Sequence, residues 1–213
     1  MRLSIALTVG ILAVKLTAAN FPDPPSQPNA PAKGQETVVL AGGCFWGVEA
    51  VFERLKGVSE AVSGYAGGSK STAHYEIVSS GATGHAESVK VTYDPAQIPF
   101  GVLLKVYFSV AHDPTELNRQ GPDYGTQYRS EIFYTNPEQK RVAEEYIQKL
   151  NGAGVYRKPI VTKLASLEGF YPAESYHQHY LERNPREPYI VFNDLPKLKH
   201  LEQAYPELLK KKR

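Results

Sequence analysis

Thr37-Val38-Val39-Leu40-Ala41-Gly42-Gly43-Cys44-Phe45-Trp46-Gly47 is the stretch on which the reading of the fold turns. Its first five residues are apolar and largely β-branched, the pattern of a buried strand. Two glycines follow. Beyond Cys44 the apolar residues Phe45, Val48, Val51, Phe52 and Leu55 recur at three and four residues, and Gly57 supplies a stop. Cys44, the single cysteine of the chain, is therefore expected at a strand-to-helix turn. Unpaired N–H groups and the helix dipole at such a turn favour thiolate over thiol. The competing reading is an inert, buried cysteine, since a free cysteine packs like a small hydrophobe.

Working outward, Ser79-Ser80-Gly81-Ala82-Thr83-Gly84-His85-Ala86-Glu87 is a polar loop that leads into the alternating run Ser88-Val89-Lys90-Val91-Thr92-Tyr93. That run is a strand with one buried face, with Glu87 at its entrance. Gly121-Pro122-Asp123-Tyr124-Gly125-Thr126-Gln127-Tyr128-Arg129-Ser130 is a second Gly-rich loop entering a strand. Loops beside strand ends that carry Cys, Glu, Asp and Tyr are what a reactive site on a rigid sheet requires. The periods predict strands near 36–41, 58–64, 86–93, 129–134 and 160–166. Helices are predicted near 45–56, 99–110 and 137–150, with a short one around 174–182. Strands and helices mixed in this order imply an α+β fold, a two-layer α/β sandwich with a mixed sheet covered mainly on one face.

Six motifs then fall in a common order: Gly43-Cys44-Phe45-Trp46-Gly47 with Glu49, Gly64-Tyr65-Ala66-Gly67-Gly68, Thr83-Gly84-His85-Ala86-Glu87, His112-Asp113-Pro114, the 123–130 loop, and Ala173-Glu174-Ser175-Tyr176-His177-Gln178-His179-Tyr180-Leu181. In that order and approximate spacing the chain resembles the A-type peptide methionine sulfoxide reductases over about residues 36–190. The resemblance implies a ferredoxin-like βαβ core, no cofactor, and reduction of the S-epimer of methionine sulfoxide, free or in proteins, as a repair of oxidative damage. It implies Cys44 as nucleophile, Glu87 as proton donor, and Tyr75 and Tyr128 as phenols on the sulfoxide oxygen. Phe45 and Trp46 would hold the S-methyl group, and Asp123 would receive a backbone N–H of the substrate. The chemistry is coherent: oxide is a hopeless leaving group, so the oxygen must be protonated as sulfur is attacked, by an acid kept neutral in an apolar site. The product on Cys44 would be a sulfenic acid.

Plain alternatives stand beside these roles. Trp46 suits an ordinary core position, Glu87 a solvated loop, and most of the fourteen tyrosines must be core or surface. Glu49 reads as an early-turn carboxylate facing the dipole. His177-Gln178-His179 suggests a metal, but no cysteine or carboxylate at ligand-like spacing completes a site, so none is expected. The rival functions are a cysteine hydrolase with His85 as base, a thiol peroxidase and a non-catalytic binding domain.

Many members of the resembled family resolve the sulfenic acid with a further cysteine near the C-terminus. This chain has none, so an external thiol is implied as partner: thioredoxin-like, glutaredoxin-like or small. At the other end, Arg2, an apolar run over residues 3–14 and the small residues to Ala19 read as a signal peptide (1–19), for export to the periplasm or medium. Membrane anchoring follows only if it stays uncleaved. Residues 20–34, rich in proline, are expected to be an extended, unpacked linker. The catalytic domain is placed at 35–200 and a solvated tail at 201–213. The net charge of +2 comes from Arg2 and Lys15, which argues against a nucleic-acid partner.

Overall fold

The computed structural model describes residues 21–27 and 34–211. The predicted signal segment lies outside them. Strand β1 (Glu36–Ala41) leads through the Gly42-Gly43 turn into helix α1 (Phe45–Glu53), and β2 (Val58–Ala66) follows. Next come the short α2 (Tyr75–Val78), β3 (Ala86–Tyr93) and α3 (Phe100–Val106), which runs on as a π-turn over Tyr107–Ala111. A two-residue hairpin, β4 (Arg119–Gln120) and β5 (Asp123–Tyr124), precedes β6 (Glu131–Tyr134), α4 (Pro137–Gly152), β7 (Lys163–Ser166) and β8 (Phe170–Pro172). The chain closes with α5 (Tyr180–Arg183), a π-turn at Ile190–Asp194 and α6 (Leu195–Ala204).

The main sheet has the order β7-β6-β1-β3-β2-β8, and its pairs are antiparallel except β6 with β7. Because β3 lies antiparallel between β1 and β2, those two run parallel, joined by α1 as a split βαβ unit; β3, α3 and β6 repeat the arrangement across β1. This is the ferredoxin-like topology, carried on a mixed sheet. Strand alternation sorts the side chains by face. Val38, Leu40, Val89, Val91, Tyr93 and Ile132 pack under the helices, while Val39, Ala41, Ala86 and Phe133 form a smaller cluster on the opposite face. Helix α4 begins where Asn136 accepts the Gln139 N–H at 2.8 Å, with Pro137 at its first position.

Three expectations need correction. The proline-rich segment is not unpacked where it is described. Phe21 is buried edge-on to Tyr156, Tyr146 O–H donates to the Pro22 carbonyl at 2.7 Å, and Lys105 pairs with Asp23 at 2.7 Å. The boundary at residue 200 falls inside α6, and part of the supposed tail packs on the core. Leu201 and Tyr205 are buried, and the Lys56 N–H donates to the Leu208 carbonyl at 2.8 Å. The element predicted around 174–182 is a run of turns ending in the four-residue α5. The left-handed His179, at φ +50°, interrupts a helical ladder there, and the Glu174 and Gln178 side chains bond β2 and α2.

Candidate active site

Cys44 is the N-cap residue of α1. The turn before it is tightly fitted: Gly43 has φ +87°, and a Cβ there would meet the Gln120 side chain at 2.5 Å. A helix begun in this way exposes N–H groups that need an acceptor. The first is met from across the sheet, where Glu87 Oε2 on β3 accepts the Phe45 N–H at 3.1 Å. Glu49 does not take the early-turn role expected of it. It lies in the second turn, buried, and accepts the His179 N–H at 3.1 Å.

Cys44, Phe45, Trp46, Tyr75, Glu87, Asp123 and Tyr128 all line one cavity of about 280 Å³. Tyr75 comes from the first position of α2, Asp123 from β5 and Tyr128 from the end of a 3₁₀ turn, Thr126–Tyr128. Sequence reasoning missed two further lining residues, Glu187 and Tyr189. Tyr189 O–H donates to Asp123 Oδ2 and its ring stands edge-on to Trp46 at 5.8 Å. Tyr180 stacks on Trp46, with centroids 3.8 Å apart and planes 9° from parallel. The indole N–H donates to His177 Nδ1 at 3.1 Å, which places the imidazole proton on Nε2. Burial depresses His177 below the ordinary histidine value, in keeping with that neutral form. Nothing periodic marks Glu187 or Tyr189; both sit on an irregular segment of charged residues and prolines.

The electrostatics separate the acid from the nucleophile. Burial pushes the Glu87 acid up to about 8, against the Phe45 N–H that lowers it, and the Asp123 charge adds to the rise. The carboxyl is therefore mostly protonated at neutral pH and can donate. Burial also raises Tyr75, to about 12, and Tyr128 further, so both phenols keep their protons. The thiol departs from the sequence expectation. Burial pushes Cys44 well above the ordinary thiol range, the charge of Glu87 once ionised and that of Asp194 add to this, and the backbone N–H of Trp46 and the Lys197 charge only partly offset it. Desolvation outweighs the helix terminus, so the free chain holds a thiol, and a thiolate must form together with substrate binding. His85 is not part of the cavity: its Nε2 bonds the Ser69 carbonyl at 2.9 Å, and its ring packs against Tyr65 and Tyr171.

A protected thiol facing a neutral acid and two phenols, on a ferredoxin-like sheet, is the equipment of a thiol oxidoreductase whose substrate oxygen must be protonated. Comparison with known proteins narrows this class. The family model described as peptide methionine sulfoxide reductase matches residues 36–209. The peptide methionine sulfoxide reductase MsrA 2 of Mesorhizobium japonicum is 59% identical over 85% of this chain and 93% of its own. The MsrA 2 of Synechocystis is 48% identical over 98% of this chain and 99% of its own. Among solved structures, methionine sulfoxide reductase A of Corynebacterium diphtheriae superposes with a TM-score of 0.63 at 36% identity, covering 80% of this chain and 86% of that one. The reduced form of Mxr1 from Saccharomyces cerevisiae gives 0.62, also at 36%, over 73% and 88%. The chain belongs to the A-type peptide methionine sulfoxide reductases.

Proposed function

We propose that the cavity reduces methionine S-sulfoxide with Cys44 as nucleophile and Glu87 as acid. The observation that carries this reading is the Glu87 carboxyl, buried, held by the Phe45 N–H at 3.1 Å and raised to about 8 in the same cavity as the thiol. The S-methyl group packs against Phe45 and Trp46, and the sulfoxide oxygen meets Glu87, Tyr75 and Tyr128. As the oxygen takes the Glu87 proton, the Cys44 sulfur bonds to the substrate sulfur and its own proton replaces the one that Glu87 gave up. The S–O bond and the new sulfur–sulfur bond then break as the hydroxyl group passes to Cys44, which frees methionine. Methionine sulfur has gained two electrons, Cys44 has lost two as a sulfenic acid, and Glu87 is reprotonated. Asp123, fixed by Tyr189, orients the substrate backbone.

With a single cysteine in the chain, the sulfenic acid returns to thiol through two equivalents of an external thiol, of the thioredoxin-like, glutaredoxin-like or small-molecule kind. Repair of oxidised protein methionine is the function this supports. The basic, apolar, small-residue order of residues 1–19 supports export, and a chain beginning at Asn20 would retain the Phe21 anchor. N-terminal sequencing of protein from the exported fraction tests that: Asn20 supports cleavage, and Met1 sinks it. The reaction is tested by single turnover with methionine-S-sulfoxide and a sulfenic-acid trap, read by mass spectrometry. One equivalent of methionine with a trapped Cys44 supports it; no methionine and an intact thiol overturn it.

A further inference from the structure

Helix α1 carries a second polar cluster, on the side away from the thiol, which the reduction does not use. Glu49 and Glu53 lie one turn apart and so share a face of the helix. The sequence reading found no carboxylate at ligand-like spacing to complete a site at His177-Gln178-His179; the fold supplies two from about 130 residues away. One ligand atom each from Glu49, Glu53 and His179 lies within 4.8 Å of the other two. His179 Nδ1 stands 2.5 Å from Glu53 Oε1, and the His179 N–H donates to Glu49 Oε2 at 3.1 Å.

The cluster is under-satisfied as it stands. Glu49 is only 1% exposed, yet its Oε1 has no partner at hydrogen-bond distance among the described residues; the Ser63 hydroxyl, itself unpaired at that distance, is near enough only to favour the carboxylate weakly. Buried carboxylate oxygens are normally paired with a proton, a cation or a metal. Glu182 adds negative charge close to Glu53, against which stand Arg54 and one imidazole. The His179 side chain is 58% exposed, so an ion and its waters have an open approach.

We propose that Glu49, Glu53 and His179 form a binding site for a divalent first-row transition metal of the zinc type. One imidazole nitrogen and two carboxylate oxygens suit such an ion, with water in the remaining positions, and two carboxylates balance its charge. Bonds of about 2.0–2.2 Å require ligand atoms roughly 3–4 Å apart, so the ion would part the His179–Glu53 pair, now at 2.5 Å, and draw Glu49 toward it within the present 4.8 Å span. The ion would tie α1 to the segment that carries His177, the acceptor for the Trp46 indole. It would brace one wall of the cavity without touching the reacting atoms.

The test is a calorimetric titration of Zn²⁺ into Cys44→Ser protein, which removes the thiol as a competing ligand. The same titration on wild-type protein with its thiol alkylated guards against a folding defect in that variant. We expect one equivalent to bind, and at least tenfold weaker binding in Glu53→Gln and in His179→Asn. Asparagine is chosen because residue 179 has φ +50°, which it tolerates, and circular dichroism confirms the fold of both variants. Absence of saturable binding to both parent proteins, or an affinity unchanged by the two substitutions, overturns the site.

Discussion

Glu87 joins local structure to chemistry at the scale of one residue. Its carboxyl closes the open N-terminus of α1 through the Phe45 N–H, and the burial that makes this possible is what keeps it protonated. General acids of this kind contribute about 10²–10⁴-fold. Glu87→Gln should therefore slow the methionine-forming step by at least about 10²-fold, while Cys44 still accepts an alkylating agent; stopped-flow single turnover measures it. The wild-type rate should fall as pH rises through about 8, where Glu87 loses its proton, and Glu87→Gln should lose that limb. The same shift has a stability consequence of fixed sign. A carboxyl raised in the folded state binds its proton more tightly there than in the unfolded chain, so stability is highest below the unfolded value and declines up to about 8. Melting temperatures of wild type and Glu87→Gln should diverge across that window, with the glutamine variant favoured at its alkaline end.

At the scale of elements, α6 decides how α1 is held. A Cβ on Gly47 would stand 2.1 Å from Asp194 Oδ1, so the two chain segments touch at the first turn of α1, beside the thiol. Asp194 pairs there with Lys197 at 3.0 Å. Further along, Leu201 and Tyr205 are buried and Leu55 bridges to Leu209. Deleting residues 201–213 should thus destabilise the protein by about 3 kcal/mol or more, the scale of losing one or two buried side chains. Urea denaturation reads this directly, and an unchanged midpoint would restore the solvated-tail view. The sequence hid this element because Pro196 and Pro206 frame a stretch with four charged residues or histidines, and its apolar positions are few. What buries them is α1, a partner that no local pattern announces.

For the whole molecule, the ends of the chain are part of the fold. Phe21 is anchored against Tyr156, and Tyr146 holds the Pro22 carbonyl. Phe21→Ala should cost about 3 kcal/mol in chemical denaturation without altering the single-turnover rate, since the anchor is remote from the cavity. The single cysteine also sets the behaviour of the enzyme as a catalyst. Without added thiol, methionine release should stop at one equivalent per chain, and dithiothreitol should restore turnover; sustained turnover without any thiol would contradict the external recycling step.

Much of this protein is determined by local order in the sequence. The change of period at residues 37–55 specifies β1, the glycine turn and α1, because strand and helix present their side chains at different repeats. The same arithmetic places β3, α3 and α4 to within a few residues, and the co-ordered motifs hold six of the residues that the cavity gathers, with Tyr75 added by the family resemblance they carry. Tertiary structure alone decides three matters. It decides that Cys44 rests as a thiol, because desolvation depends on what covers the helix terminus. It supplies Tyr189, Tyr180 and His177 as the clamp on Trp46, from irregular segments with no period to read. And it brings His179 to Glu49 and Glu53 across 130 residues of chain, since burial and long-range pairing belong to the packed chain and to no stretch of it.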